Sequence, residues 1–201
     1  MRVWLGGAPC SGKSTVAELL AVQLSLPVYR ADSFFTVHGK SAPAGSVLNR
    51  IAASSFALNF QRPVDAMLQD FVSASREEVP LIDADLSAPH WRNGAIVEGC
   101  ALLPSAVRTV ASPGDAAVFM LPTEQFQREA YRARPWAAGL LAEVPDPALV
   151  WENWRQRDVA FADLVGAEAR TLGLPVVIID GTRSVYEVAA LVHAHVVGAG
   201  V

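Results

Sequence analysis

The sequence predicts an α/β fold in which helices cover both faces of a parallel sheet. Short apolar segments alternate along the chain with longer segments that repeat apolar residues at helical spacing. Residues 116–121 are apolar throughout, which is typical of a strand buried on both faces. The chain has 201 residues, of which 52% are hydrophobic, so it can form a sizeable core. We predict a single domain over residues 1–201.

A glycine-rich loop near the start of the chain matches the full pattern G-x-x-x-x-G-K-S. An apolar strand over 2–6 precedes the loop and a helix over 13–25 follows it, which is the context that this phosphate-binding P-loop requires. The motif consists of Gly7, Ala8, Pro9, Cys10, Ser11, Gly12, Lys13 and Ser14.

The chemistry of phosphate binding explains these residue types. The glycines let the backbone turn so that its N–H groups point at phosphate oxygens. Lys13 can reach the β- and γ-phosphates of a nucleotide, and the hydroxyl of Ser14 can bind Mg²⁺. The helix that follows adds its positive N-terminal end. The motif predicts nucleotide binding, with a chance glycine turn as the alternative.

Two acidic residues stand at or just past strand ends, where open α/β sheets bind ligands. Asp32 follows a short strand over 27–30, and Glu98 ends an apolar strand that begins at Ala95. Asp32 is a candidate contact to an acceptor or a metal ion, and capping of the next helix is its alternative role. Glu98 is a candidate metal or substrate contact, and capping of a neighbouring backbone is the alternative.

The segment between these two acids predicts a loop and then helices. Residues 36–50 contain glycine, proline and other turn residues, which indicate a loop, and a mixed helical region follows over 46–60. Pro63 suits the first turn of a helix whose apolar residues recur at helical spacing. His38 and His90 are interpreted as loop residues and not as ligands.

Residues 79–86 fit two interpretations. The alternating acids Asp83 and Asp85 would form a metal site on a strand. Pro80, however, suits the start of a helix, and the apolar residues around it have helical spacing. We therefore predict a helix with a solvated acidic face.

An arginine-bearing helix is predicted after the fourth strand. Thr123 is its expected N-cap, and Pro135 ends it. Arg128 and Arg132 are four residues apart and share a face, and Arg134 follows them. The cluster favours contact with an anion, and an ordinary solvated face is the alternative.

The rest of the chain predicts one more helix–strand–helix unit. A long helix spans 149–172, a fifth strand spans 175–179, and Ser184 opens the last helix with a capping box. Arg155 and Arg157 in the long helix are either a second anion-facing pair or partners of nearby acids in salt bridges.

Composition excludes several classes of protein. The net charge of −4 opposes a dedicated nucleic-acid binder. No apolar run approaches the length of a membrane span, and the immediate entry into a strand leaves no room for a signal peptide. The two cysteines, Cys10 and Cys100, do not form a disulfide framework. We expect a cytoplasmic protein that has no membrane or nucleic-acid partner and is a monomer or a homodimer.

Four features together resemble the small P-loop kinases, the group that contains nucleoside-monophosphate kinases, shikimate kinase and chloramphenicol phosphotransferase. They are the P-loop at 7–14, the acid Asp32, the arginine helix after the fourth strand, and the turn over 180–182. The resemblance implies a three-layer fold with five parallel strands in the order 2-3-1-4-5. It also implies transfer of the γ-phosphoryl group of ATP to a small acceptor.

The resemblance assigns roles on the nucleotide side. Gly7, Gly12 and Lys13 hold the phosphates, Ser14 holds Mg²⁺, and Thr15 contacts the α-phosphate. The P-loop residues between the glycines belong to the same site. The loop that packs against adenine consists of Gly181, Thr182 and Arg183.

It also assigns roles in phosphoryl transfer. Asp32 orients the acceptor hydroxyl and accepts its proton, and it joins Glu98 and Ser14 as a candidate metal contact. A lid over about 123–150 carries the arginines that neutralise the transferring phosphoryl group, namely Arg128, Arg132 and Arg134.

The acceptor side, about 33–94, is expected to set the choice of substrate, and it carries no motif that identifies the acceptor. Where shikimate kinase has the pair Asp-x-Asp, this chain has only Asp32, so shikimate itself is not the expected acceptor. The sequence therefore predicts an ATP- and Mg²⁺-dependent phosphotransferase that acts on a hydroxyl of a small metabolite or antibiotic. A nucleotide-gated regulatory protein with slow hydrolysis is the alternative, and a polynucleotide kinase is less favoured because of the negative net charge.

Overall fold

A computed structural model describes residues 1–198. Its centre is a parallel sheet of five strands in the order β2-β3-β1-β4-β5. The strands are β1 Arg2–Gly7, β2 Val28–Arg30, β3 Ala95–Glu98, β4 Ala116–Pro122 and β5 Val176–Ile179. The α/β fold class and the strand order predicted above are confirmed.

Ten α-helices surround the sheet in the described part of the chain. They are α1 Lys13–Leu24, α2 Phe35–Ser41, α3 Val47–Ala53, α4 Phe56–Phe60, α5 Val64–Asp85, α6 Pro104–Val110, α7 Glu124–Arg132, α8 Pro135–Ala142, α9 Pro147–Thr171 and α10 Val185–Gly198. Short 3₁₀ turns over Ala31–Ser33 and Pro89–Trp91 complete the order of elements.

The core consists of two apolar layers, one on each face of the sheet. Val3 and Leu5 of β1 point to one face and pack with α1 and α10. Trp4 points to the opposite face and packs with α5, α6 and α9. This alternation along β1 produces the three-layer arrangement, because successive side chains of a strand face opposite sides.

The prediction of a loop over 36–50 is wrong. The chain forms α2, a short turn, and then α3. Gly39 allows this packing, because a Cβ atom at Gly39 would lie 2.1 Å from the Cβ of Ala52 on α3. Tertiary packing therefore outweighs the low helix propensity of glycine here. His38 is correspondingly not a loop residue, because it lies on α2 and is buried.

The segment 79–86 is helical as predicted, but the helix does not begin at Pro80. It is the last part of α5, which starts at Val64 and contains Pro80 in its interior. Asp83 pairs with Arg2 at 2.5 Å, and Asp85 contacts Tyr29 and His38, so neither acid takes part in the alternative metal site.

Within residues 1–198, no helix combines the length and the apolar character needed to cross a membrane.

Candidate active site

The P-loop connects the end of β1 to the start of α1. Gly7 has a φ of 129°, and a Cβ atom there would lie 2.0 Å from the carbonyl oxygen of Met120, so only glycine fits. Gly12, at the N-cap of α1, has a φ of 80°. Ser14 and Thr15 are exposed in the first helical turn. The loop thus has the backbone geometry that the motif requires.

Lys13 lies beneath the loop, and its side chain is almost fully buried. Its ammonium donates to the carbonyl oxygen of Ala8 at 2.8 Å and contacts Cys100 Sγ at 3.4 Å. Burial alone would lower the pKa of Lys13, but Cys100, Asp32 and Glu98 raise that pKa by more. The lysine is therefore held as a cation among acidic neighbours.

Glu98 lies at the end of β3, beside Ser14. The Ser14 hydroxyl donates to Glu98 Oε2 at 3.2 Å. Burial raises the pKa of Glu98, and the nearby Asp32 raises it further. Serine and carboxylate oxygens are hard ligands, and Mg²⁺ in nucleotide sites uses one or two carboxylates together with phosphates. The adjacent oxygens of Ser14 and Glu98 fit Mg²⁺ bound in that form.

Asp32 stands just past β2, on the same edge of the sheet. Its Oδ1 accepts a hydrogen bond of 2.9 Å from the backbone N–H of Cys100. The bond joins the ends of β2 and β3 and fixes the carboxylate in the lining of a cavity. The alternative that Asp32 caps α2 finds no support in the hydrogen bonds of the described residues, because α2 has no side-chain cap.

A cavity of about 350 Å³ extends from Asp32 and Cys100. Most of its lining comes from the region predicted as the acceptor side. The lining residues are Asp32, Phe35, Ile51, Asn59, Phe60, Arg62, Met67, Asp70, Phe71, Glu78, Cys100, Ala101 and Arg157. The cavity thus combines aromatic faces with acidic and basic groups, in the size range of small-molecule sites.

Arg157 reaches this cavity from α9. Its guanidinium lies 4.9 Å from the ring centre of Phe60 and 4.4 Å from that of Phe71. Its Nε lies 2.5 Å from Oδ1 of the buried Asp158, so Arg157 has a salt-bridge partner and also lines the cavity. Arg155 pairs with Glu152 and lies away from the cavity lining. The sequence alone did not indicate that Arg157 lines the cavity and Arg155 does not.

Helix α7 contacts the P-loop through a residue that the sequence did not single out. Gln127 is buried and donates from Nε2 to the carbonyl oxygen of Pro9 at 3.0 Å. One turn later, the hydroxyl of Tyr131 donates to Asp158 of α9. Thr123 caps the helix as predicted, since its side chain accepts from the N–H of Phe126.

The three predicted lid arginines lie in different environments. Arg128 pairs with Glu124 at 3.3 Å, and together with Arg132 it lines an exposed groove formed only by α7 residues. Arg134 packs over the ring of Tyr131 at 5.6 Å. Burial raises the pKa of Cys10 in the P-loop, and the charge of Arg134 offsets part of this rise. The catalytic role of all three stays a prediction.

The loop after β5 has a defined turn. Oδ1 of Asp180 accepts from the backbone N–H and the hydroxyl of Thr182, at 3.0 and 2.7 Å. Gly181 has a φ of 85°, and a Cβ atom there would come within 3.0 Å of the Phe126 ring on α7. The adenine contact assigned to Gly181, Thr182 and Arg183 stays a prediction.

Comparisons with known proteins agree with this fold. No protein-family model and no curated protein matches the sequence. A gluconokinase from Sinorhizobium meliloti superposes with a TM-score of 0.56 at 17% identity, over 99% of this chain and 93% of that one. A shikimate kinase from Acinetobacter baumannii, solved with shikimate, gives 0.55 at 13% identity, over 98% and 93%. A sugar kinase from a Janibacter species gives 0.52 at 14% identity, over 96% and 92%.

These neighbours define the class of fold. The chain has the P-loop fold that shikimate kinase and gluconokinase share, with its strand order and its P-loop between β1 and α1. At such identities the likeness establishes the fold, and function has to be argued from the site.

Proposed function

We propose that this protein is an ATP- and Mg²⁺-dependent kinase that phosphorylates a hydroxyl of a small molecule. One observation carries the proposal: Asp32 is bonded to the backbone of Cys100, whose sulfur contacts the P-loop lysine, and both Asp32 and Cys100 line a cavity of small-molecule size. A protein that only bound or slowly hydrolysed a nucleotide would not need a fixed carboxylate in the lining of a second cavity. The kinase folds of the structural neighbours support the same reading.

The residues divide the work of phosphoryl transfer between them. The P-loop amides and Lys13 bind the β- and γ-phosphates of ATP, and Ser14 and Glu98 hold Mg²⁺, which neutralises phosphate charge when bound. Asp32 accepts the proton of the acceptor hydroxyl through the oxygen that does not bond to Cys100. The hydroxyl oxygen forms the new bond to the γ-phosphorus as the bond to the β,γ-bridging oxygen breaks, and ADP leaves.

The remaining groups close the site around the nucleotide. The lid over about 123–150 brings arginine side chains toward the transferring phosphoryl group, and its helix α7 contacts the loop through Gln127. The turn at Gly181 supports the adenine ring. The proposal includes cytoplasmic residence of a monomer or homodimer, in keeping with two free cysteines.

Release of ADP from Mg·ATP tests the proposal directly. We expect stimulation by one pool of hydroxyl-bearing metabolites or antibiotics, and no turnover with Lys13→Ala. Tight ATP binding without stimulation by any pool would instead indicate the nucleotide-gated protein. Salt-sensitive stimulation by an oligonucleotide would indicate a polynucleotide kinase.

A further inference from the structure

A buried polar cluster lies behind the acceptor cavity. His38 of α2 is 4% exposed, and Glu78 of α5 is 1% exposed. Nδ1 of His38 lies 2.9 Å from Glu78 Oε1, and Nε2 lies 3.1 Å from Oδ2 of Asp85. The hydroxyl of Tyr29 donates to the same Asp85 oxygen at 2.6 Å. The imidazole is thereby fixed between two carboxylates and cannot rotate freely.

Glu78 is the member of this cluster that reaches the cavity. Its side chain is part of the cavity lining, together with Asp32 and Cys100. His38 occupies one carboxylate oxygen, and no described residue donates a hydrogen bond to the other. Burial raises the pKa of Glu78, the contact with His38 lowers it, and the charge of Asp32 raises it further. Because Glu78 and Asp32 line the same cavity, one small molecule can contact both.

The chemistry of the cavity limits what Glu78 can bind. An ionised carboxylate oxygen only accepts hydrogen bonds, so this oxygen favours a ligand that donates one. Arg62 pairs with Asp70 and Arg157 pairs with Asp158, so neither arginine is the partner of Glu78. A hydroxyl is a suitable donor for Glu78, and the proposed kinase reaction already requires an acceptor that carries a hydroxyl. The aromatic faces of Phe35 and Phe60 suit the C–H surface of such a molecule.

We propose that Glu78, positioned by His38, binds a second hydroxyl of the acceptor while Asp32 receives the hydroxyl that is phosphorylated. The acceptor is accordingly a polyhydroxylated compound, with at least one hydroxyl that is bound and not phosphorylated. This inference rests on the proposed kinase function. It assigns a specificity-determining role to Glu78 and a positioning role to His38.

Paired probes test the inference. They are glycerol with propanediol, ribose with deoxyribose, and gluconate with deoxygluconate. Binding is measured by saturation-transfer NMR without ATP, and turnover is measured by ADP release with Mg·ATP. We expect at least one polyol to bind about ten- to a hundredfold more tightly than its deoxy analogue, as for a hydrogen bond to a charged group.

Variants then locate this discrimination. Glu78→Gln should reduce the ratio of the deoxy analogue's Kd to the polyol's Kd to below about threefold. It should also raise the acceptor KM and leave the ATP affinity unchanged. His38→Asn should reduce the ratio in the same direction. Glu77→Gln is the matched control, because Glu77 accepts from the N–H groups of Val47 and Leu48 on α3 and does not line the cavity. Glu78→Asp keeps the charge but moves the carboxylate away from the cavity, so it replaces Glu78→Gln as the test variant if Glu78→Gln does not fold.

The outcomes separate the two proposals. Equal binding of each polyol and its analogue, no polyol binding, or an unchanged ratio in Glu78→Gln would overturn the role of Glu78. ADP release that depends on an acceptor, with the same acceptor KM in the wild type and in Glu78→Gln, would support the kinase function and contradict the role of Glu78. Polyol binding that depends on Glu78, without any ADP release, would support the binding role of Glu78 and contradict the proposed kinase function.

Discussion

The side-chain amide of Gln127 donates a 3.0 Å hydrogen bond to the carbonyl oxygen of Pro9, which ties α7 to the P-loop. The bond joins the predicted lid to the phosphate site through a neutral side chain. Because Gln127 is buried, its position on α7 also fixes which face of the helix is turned toward solvent. Arg128 lies next to it on the exposed side.

Gln127→Ala should weaken nucleotide binding. The substitution leaves the Pro9 carbonyl without this donor and loosens α7 against the loop, so we expect the KM for ATP to rise about three- to tenfold. Steady-state kinetics at saturating acceptor measures the change. Gln125→Ala is the control, because Gln125 is exposed on the same helix and bonds only to Glu129. Equal effects of the two substitutions would refute a specific role for the bond to Pro9.

Asp32→Asn should separate nucleotide binding from chemistry. Asparagine can still accept from the N–H of Cys100, so the side chain stays in place, but it cannot take a proton. We expect turnover to fall by about a hundredfold or more, with the Kd for ATP unchanged. Single-turnover kinetics and ATP titration measure the two effects. Normal turnover in this variant would remove Asp32 from its assigned role.

Asp70→Asn should change how stability depends on pH. Burial would raise the pKa of Asp70, but hydrogen bonds from Arg62 and Arg50, at 2.7 and 2.9 Å, lower it below the ordinary value of 3.8. A lowered pKa in the folded state stabilises the fold above the unfolded-state pKa. That stabilisation disappears as the pH falls through the folded-state pKa.

The variant should therefore have a free energy of unfolding about 1 kcal/mol lower than the wild type at neutral pH. The difference should shrink as the pH falls below about 4. Urea unfolding across this range measures it. Asp65→Asn, at an exposed position on the same helix, provides the comparison. A constant difference at every pH would show that the arginines do not act through the charge of Asp70.

Gly39→Ala should destabilise the fold and disturb the acceptor side. The added methyl group would lie 2.1 Å from the Cβ of Ala52, so α2 and α3 would have to move apart, at a cost of about 1–3 kcal/mol. Thermal unfolding and the acceptor KM report the two effects. Gly139→Ala is the matched control, since nothing lies within 4 Å of a Cβ there and alanine favours the helix. A neutral Gly39→Ala would contradict the close packing of α2 on α3.

Sequence reasoning worked best where a local pattern dictates the structure. The P-loop, the buried strands and the cap at Thr123 depend on neighbours within a few residues, and all are present as predicted. Glu98 could be foreseen beside Ser14, because parallel strands bring their carboxyl ends to one edge of the sheet.

The residues that were missed depend on contacts distant in sequence. From the sequence alone, Gly39 is interpreted as a turn residue, because its close approach to Ala52 appears only in the folded chain. His38 is likewise interpreted as a loop residue, because its partner Glu78 is distant in sequence. Gln127 carries no signal of its own, since one neutral amide on a helix matches no motif. Arg157 could have been found only from the aromatic rings that it covers.

The separation of the two halves of the site has a consequence for how such a protein diversifies. The phosphate-binding residues lie in the loop between β1 and α1 and in the first turn of α1. Most of the cavity wall, by contrast, comes from helices inserted between β2 and β3. Substitutions in this insert can change the size and polarity of the wall without touching the P-loop, Ser14 or Glu98. If the proposed function holds, a lineage can therefore exchange one acceptor for another while the phosphate-binding residues stay unchanged, and an engineer can replace the insert without altering the P-loop.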